Sequence, residues 1–419
     1  MQYIGVLDGN NFFVSCERLF RPDLAGKPVV VLSSNDGCVV ARSQEIKDMG
    51  ITMGVPYFQV KDILQEARAT SFSSHFALYR DISSRVFRVV KANVPLMEQY
   101  SIDEAFFTLE VATKEEAEAM MRTLKKTVER EVGIPVSIGL AATKTQAKYA
   151  NKRAKKAGGV IVFDPSDWII ETESIQLSDI WGVGGRLSRR YREAGVTTVG
   201  ELLLTPKARI ETLFGIGGVR LQAELAGLVQ FPVSNQTSVQ KSILSSRSFK
   251  DATNSEALIK DSVAYHVRHA VSNLRTLGLK TSYLSVSISA SRHGDFVLRG
   301  GTREVLLTEP TSDVSLILKA ALQLVDRLFE VGVPYKKAGI MLGNFTPMAA
   351  VQPSLFGGVV EQKFSERILT TIDTLNSQFG RHTISLGRHS KEALWVSRRE
   401  KISPAYTTNW SELPTVTAA

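Results

Sequence analysis

Two acids stand side by side, Asp103 and Glu104, in the apolar stretch QYSIDEAFFTL (99–109), and a third, Asp8, ends the β-type run YIGVLD (3–8). Gathered within about 4–5 Å, three carboxylates would repel one another by several kcal/mol even at an effective dielectric near 20. Such a cluster must take up protons or hold cations. Oxygen-only donors select hard ions, and two carboxylate-bridged Mg²⁺ ions are a device for in-line displacement at phosphorus. They lower the pKa of an attacking hydroxyl and neutralise charge growing on the leaving phosphate. Taken alone, however, an Asp-Glu pair reads first as an exposed hairpin turn, because acids are common in turns.

The elements decide whether the three acids can meet. The first strand is followed by NNFFVSCERLF (10–20), whose asparagines suit an N-cap and whose continuation suits a helix. A helix is expected from about Phe76 to Asn93, then strands at 97–101 and 105–110, a helix at 114–132 and a strand at 135–141. This spells β-α-β-β-α-β, the ferredoxin-like order, interrupted by an insert over about 22–75. In that order the first and third strands are antiparallel neighbours, which brings Asp8 beside Asp103 and Glu104. The flanking Tyr100, Ile102, Phe106 and Phe107 then become a rigid mount for the acids.

With 419 residues, 43% of them apolar, the chain is long enough for two to four domains. A formal charge of +9 favours a polyanionic partner such as nucleic acid. Cys16 and Cys38 form no disulfide scaffold and no metal spacing, so a reducing cytoplasm is expected. Neither an export signal nor an apolar run of membrane-spanning length is visible. His266 and His269 share a predicted helix face but lack a third ligand.

Further along, DIWGVGGRLSRRYREAGVTTVGELL (179–203) and IETLFGIGGVRLQAELAG (210–227) each place a Gly-apolar-Gly turn between helical segments, as tandem helix-hairpin-helix units do. After a polar link near 232–242 the β-α-β-β-α-β order recurs, with segments at 241–249, 255–277, 282–290, 296–307, 313–330 and 336–342. In YLSVSISAS (283–291), Leu284, Val286 and Ile288 alternate with Ser285, Ser287 and Ser289, giving one buried and one open face. The tail offers a helix at 361–377 and a polar end carrying Trp395, Tyr406 and Trp410.

LDGNNFFVSCE, YSIDEAFFTL and GLAATKTQAKYANKRAKK (139–156), in that order, resemble the Y-family, or translesion, DNA polymerases. FRPDLAGKPVVVLSSNDGCVVARSQEIKDMGI (20–51) and SPAYTTNW (403–410) resemble the UmuC-type catalytic subunits of bacterial DNA polymerase V and their plasmid-borne relatives. The resemblance implies error-prone nucleotidyl transfer from a dNTP to a primer 3'-hydroxyl, in the SOS response to DNA damage. It implies two Mg²⁺ ions on Asp8, Asp103 and Glu104, with the Gly9 carbonyl as a further ligand. Position 9 is bulkier in most of the family, so glycine is expected to loosen the strand end while keeping that carbonyl. Phe13 falls on the aromatic ring that excludes a ribose 2'-hydroxyl, or else is a core phenylalanine. Lys155 matches the phosphate-binding lysine. Lys47 stands where many relatives have arginine and would grip phosphate less directionally. Gln44 replaces a tyrosine and takes no role. Arg42 either reaches phosphate or template or is solvated.

The fold implied is α+β and multidomain: a right-hand-like polymerase with a ferredoxin-like palm (1–21 and 76–165), inserted fingers (22–75), a helix-hairpin-helix thumb (166–235), a β-α-β-β-α-β little finger (236–345) and a clamp-binding and partner-interaction tail (346–419). Primer-template DNA would be gripped through phosphates, without reading sequence, by Gly182, Gly184, Gly185 and Arg186 of the first hairpin and by Arg189 and Arg190 behind it. Lys241, Arg247, Arg292, Arg299 and Arg303 would flank the serine-lined face. QPSLF (352–356) resembles the Gln-x-x-Leu-Phe peptide that docks on the bacterial sliding clamp, with Gln352 orienting and Leu355 and Phe356 entering an apolar pocket. A UmuD'-like dimer and a RecA filament are the other partners implied; no membrane is.

Overall fold

The computed structural model describes residues 1–236, 240–291, 299–348, 359–379, 383–384 and 399–415. The chain divides into two units, Met1–Thr237 with Glu400–Ala419, and Ser238–Arg399, so it leaves the first unit and returns to it at its end.

The first unit runs β1 (Gln2–Gly9), α1 (Phe12–Phe20), β2 (Val29–Leu32), β3 (Val39–Arg42), α2 (Gln44–Asp48), α3 (Tyr57–Glu66), β4 (Thr70–Ser73), α4 (Phe76–Asn93), β5 (Leu96–Gln99), β6 (Glu104–Glu110), α5 (Lys114–Val132), β7 (Val136–Ala141), α6 (Lys144–Ala154) and β8 (Val160–Val162). The main sheet has the order β5-β6-β1-β7-β8. Its first four strands are the antiparallel ferredoxin-like set, and β8 extends it in parallel to β7 across α6. Both faces of β1 are covered, which is why its residues from Tyr3 to Asp8 are buried without alternation. Tyr3 and Leu7 join a core with α4 and α5, while Ile4, Val6 and Phe106 join one with α6 and the helices that follow. Period-2 alternation puts Asp8 on the Ile4/Val6 face, the side of α6.

Two glycines set these packing distances. A Cβ at Gly5 would stand 2.2 Å from the ring of Phe107, its cross-strand partner, so the missing side chain is the space that ring fills. A Cβ at Gly139 on β7 would stand 2.1 Å from the backbone nitrogen of Asn151, so glycine lets α6 lie against the sheet at backbone distance. The inserted lobe is a separate small sheet, β3-β2-β4, with its own core of Val30, Leu32, Val39, Ile46, Ile51, Val60 and Leu64.

Then come α7 (Pro165–Thr172), α8 (Gly185–Glu193), α9 (Val199–Leu204) and α10 (Lys207–Leu225). Gly182 has φ 87° and Gly184 N-caps α8; in α10 the helix breaks at Gly215, with φ 65°. These are the two glycine turns of the sequence repeat, and only glycine adopts such positive φ without strain. Tyr191 of α8 stacks on Phe214 at 3.9 Å and joins the halves. Buried Glu224 accepts from the amides of Thr145, Gln230 and Phe231 at 3.1, 2.7 and 3.1 Å, and Trp168 Nε1 donates to the Leu225 carbonyl at 2.7 Å. The Thr145 bond fixes the helical region to α6, and the others tie α10 to α7 and to the chain that follows it.

The second unit runs β9 (Ser242–Thr253), α11 (Glu256–Thr276), β10 (Leu279–Ala290), β11 (Gly300–Thr311), α12 (Val314–Asp326), β12 (Tyr335–Pro347) and α13 (Val359–Phe379). The linear β-α-β-β-α-β order recurs, but the wiring does not: the antiparallel sheet is β11-β10-β12-β9, with the first strand on the edge beside the last. Helix α13 docks through Leu369 in the core and Arg275 Nε and Nη2 on Asp373, each at 2.6 Å.

Several local expectations shift. The second strand ends at Gln99, and Tyr100 to Asp103 form the turn instead, because Ser101 ties that turn together. Ser285 is buried while Ser287 is exposed, so the serine face is only partly open. Asn11 occupies the N-cap of α1 in the left-handed region without a side-chain cap, its carboxamide being engaged by Lys47.

Candidate active site

The antiparallel register sets Asp8 directly opposite Glu104, and the Gly9 amide donates to the Asp103 carbonyl at 2.9 Å. Gly9 is also paired with Val136 on its other side, so glycine does not loosen the strand end, and Phe12 fills the space a Cβ would take. Ser101 builds the turn: its Oγ accepts from the amides of Asp103 and Glu104 at 3.2 and 3.0 Å and donates to Asp103 Oδ1 at 2.6 Å. One hydroxyl thus spends its donor and its acceptors on fixing both acids.

Each of the other two carboxylates carries a lysine. Lys155 Nζ lies 2.6 Å from Asp8 Oδ1, and Lys148 Nζ lies 2.5 Å from Glu104 Oε1. Both lysines come from α6 and its C-cap, seven residues apart and hence on one helix face. Lys148 is additionally held over the rings of Tyr100, Phe106 and Trp181 at 5.2, 5.8 and 5.7 Å.

Burial, with a hydrogen bond to Glu104, pushes the Asp8 carboxyl up to about 7, against the pull of Lys155. Burial also opposes ionisation of Glu104, but the hydrogen bond from Asp8 and the nearby Lys148 outweigh it and hold that carboxyl below its ordinary value. The pair therefore shares a proton near neutrality, the arrangement expected of close acids without a bound cation.

Among the described residues, no three acidic, cysteine or histidine side chains are gathered around one point. Asp8 and Glu104 instead hold ammonium groups, stand-ins for the positive charge the pair requires. The donor set is all oxygen, as a hard cation demands, and Lys155 is 42% exposed at its side chain and free to swing to another anion. The residues thus suit divalent ions.

Asp8 and Asp103 floor a cleft of about 240 Å³ lined also by Gly9, Asn11, Phe12, Phe13, Val40, Ala41, Arg42, Lys47, Met53 and Lys155. Phe13 presents its ring there, stacked on Tyr79 at 4.4 Å and edge-on to Phe76 at 5.9 Å. Tyr79 is itself fixed, its hydroxyl donating 2.6 Å to Glu17, a fully buried carboxyl whose pKa burial raises. Lys47 donates to Asn11 Oδ1 at 2.5 Å; burial and the neighbouring Arg42 and Lys155 lower its pKa. Arg42 is pinned by donation from Nη1 to the Ile51 carbonyl, its Nε having no hydrogen-bond partner among the described residues. Gln44 Nε2 donates to Asp48 Oδ1 at 2.7 Å.

Of the DNA candidates, Arg186 is exposed in the first turn of α8, beside Gly184 and Gly185. Arg189 pairs with Glu193 at 3.7 Å, and Arg190 donates to the Leu213 carbonyl at 2.6 Å over the Phe214 ring. Lys241 is exposed just before β9. Arg247 shares the helix-covered face with Ile243 and Phe249, its guanidinium 5.5 Å from the Tyr265 ring. Arg299 pairs with Glu330 at 3.4 Å, and Arg303 opposes Val286 on the edge strand. Arg292, Trp395 and the clamp-peptide residues Gln352, Leu355 and Phe356 lie outside the described residues. Sequence reasoning missed Ser101, Lys148, Tyr79 and Glu17; only the seven-residue spacing of Lys148 and Lys155 offered a signal.

The impB/mucB/samB family matches residues 7–152, and that family's C-terminal domain matches 240–355. Protein UmuC of Salmonella typhimurium strain LT2 is 34% identical, over 97% of this chain and 98% of its own length. The chain belongs to the impB/mucB/samB family. Protein MucB of Escherichia coli is 32% identical, over 98% and 99% of the two chains. DNA polymerase IV of Desulfatibacillum aliphaticivorans is 26% identical, over 90% and 94%. A solved Y-family DNA polymerase chimera superposes with a TM-score of 0.69 at 21% identity, covering 83% of this chain and 100% of that one. The fold is thus that of a Y-family DNA polymerase, and a domain of unknown function matches the tail of this chain at 366–416.

Proposed function

We propose that the cleft binds a dNTP with its sugar against Phe13 and its phosphates toward Lys155, Lys47 and Arg42, and that Asp8, Asp103, Glu104 and the Gly9 carbonyl hold two Mg²⁺ ions. The chain is an error-prone, DNA-directed DNA polymerase of the translesion class, acting in the DNA damage response. The observation that carries the proposed site is the cleft lined by Asp8 and Asp103 together with Phe13, Lys47, Arg42 and Lys155, with Glu104 opposite Asp8 in the sheet register.

Bound ions would supply an acidified 3'-hydroxyl and neutralise the phosphate charge. The chain's own part is positional. Asp8 gives up its shared proton, and Lys155 moves from that carboxylate to a phosphate oxygen. Ser101 holds Asp103 at the end of its turn, where with Asp8 it would hold the ions. Glu104, with Lys148 behind it, would complete the oxygen donor set. The Phe13 ring, fixed on Tyr79, stands where a ribose 2'-hydroxyl would project.

The glycine turns at Gly182–Gly185 and at Gly215 would meet duplex phosphates through backbone amides, with Arg186, Lys241 and Arg292 adding charge. Gln352, Leu355 and Phe356 would dock on the sliding clamp. A UmuD'-like dimer and a RecA filament are the proposed accessory partners, and the cytoplasm is the proposed site of action; among the described residues no helix is long and apolar enough to cross a membrane.

Primer extension with Mg²⁺ and dNTPs on intact and abasic templates, with and without a UmuD'-like dimer and RecA filament, tests the reading. Metal-dependent extension on both templates is expected. Absence of any extension by the folded protein, with its accessory partners present, would overturn it.

A further inference from the structure

Residues 400–415 rejoin the first unit, within the stretch 366–416 that matches a domain of unknown function. They touch both the inserted lobe and the body built on the main sheet. On the side of the inserted lobe, the Lys401 carbonyl accepts from the Ser73 amide at 2.9 Å and the Lys401 amide donates to Ser73 Oγ at 3.0 Å. Lys401 Nζ donates to the Tyr57 hydroxyl at 2.7 Å, and the Glu400 amide donates to Asp36 Oδ2 at 3.2 Å.

On the side of the main sheet, buried Tyr406 stacks on Phe20 of α1 at 4.5 Å with 9° between the planes. Buried Ser403 Oγ lies 3.0 Å from Nδ1 of His75, the N-cap of α4. One turn on, Tyr79 donates its amide to the His75 carbonyl at 3.1 Å, stacks on Phe13 and bonds to Glu17. Ser403 also acts on Glu17, opposing with Tyr79 the rise that burial imposes on that carboxyl. The ring that faces the sugar is therefore backed by a chain of fixed contacts, Phe13 to Tyr79 to Glu17 and His75, that ends on this segment.

We propose that the segment from Lys401 to Tyr406 is a positioning element of the nucleotide site: it braces the inserted lobe against the main sheet and holds the Phe13–Tyr79 pair at the attitude that excludes ribose. The inference rests on the reading of Phe13 as the sugar-selecting ring. A ring excludes a hydroxyl only while its own support is rigid, since displacements of about 1 Å in a supporting group change reaction rates strongly. The brace supplies that support from the far end of the chain.

The test compares kcat/KM for dCTP and rCTP in primer extension by the full chain and its Tyr406→Ala, Ser403→Ala, Tyr406→Phe and Phe13→Ala variants, with melting curves for each. Phe13→Ala should abolish most sugar discrimination. Tyr406→Ala and Ser403→Ala should each lower it by roughly three- to tenfold, the worth of one aromatic stack or hydrogen bond, through a lower KM for rCTP more than a change in kcat. Tyr406→Phe, which keeps the stack, should match the parent. Full discrimination in both alanine variants of the segment, alongside its loss in Phe13→Ala, would overturn the brace alone. Full discrimination in Phe13→Ala would overturn the gate and the brace together. Ser403→Ala removes only a hydroxyl, so it decides the matter should Tyr406→Ala fail to fold.

Discussion

Gly139→Ala tests how the sheet places both lysines of the site. The added Cβ would lie 2.1 Å from the Asn151 nitrogen, more than 1 Å inside ordinary contact at 3.4 Å, and 2.6 Å from the Ala147 carbonyl oxygen. Both obstacles are backbone, so α6 must move as a body. Overpacking of this kind costs about 1–3 kcal/mol, which lowers Tm by roughly 2–10 °C in a unit of this size. A shift beyond 1 Å also carries Lys155 from 2.6 Å to outside hydrogen-bond reach of Asp8, and moves Lys148 from Glu104. Losing one charge-assisted contact to the triphosphate is worth about 1.5–3 kcal/mol, so KM for a dNTP should rise roughly tenfold or more. Steady-state primer extension read beside a thermal melt measures both effects. A Gly139→Ala protein with the parent's Tm and KM would refute the close approach of α6 as the device that places these lysines.

Stability of the metal-free protein should depend on Asp8. Its carboxyl is raised from 3.8 to about 7, so between those values the folded chain holds more protons than the unfolded one, and stability falls as pH rises through that window. Melts in EDTA should show this fall, at most about 1.4 kcal/mol per pH unit, and Asp8→Asn should flatten it; identical profiles would contradict the shared proton. Deleting Gln352 to Phe356 should abolish stimulation by the sliding clamp and spare distributive synthesis. Retained stimulation would refute the peptide's role.

Much of this fold can be read from the sequence because its signals are local. Hydrophobic periodicity marks the strands, and the ferredoxin-like order alone places Asp8 beside Glu104, about 95 residues away. The turn glycines, Gly182 and Gly215, announce themselves by type. What escapes is set by tertiary contact. Nothing in the sequence says that Ser101 ties the Asp-Glu turn, since serine in a turn has many uses. Glu17 reads as a surface residue of an amphipathic helix, yet it is wholly buried on Tyr79. The second unit shows the limit most plainly: identical element order, different strand order, because order along the chain does not fix which strand takes the edge. The return of residues 400–415 to the first unit depends on Ser73, His75 and Phe20, more than 300 residues upstream, and no pattern in the tail reports them.

The central claim is that Asp8, Asp103 and Glu104 act together on metal ions in nucleotidyl transfer. Single-turnover primer extension at saturating Mg²⁺ and dNTP, by the parent and by a chain carrying Asp103→Asn and Glu104→Gln, tests it most directly, with melting curves to show both are folded. The account predicts extension by the parent and a rate at least about 10³-fold lower in the variant, the scale of losing preorganised charge stabilisation. Equal extension by the two proteins would contradict it.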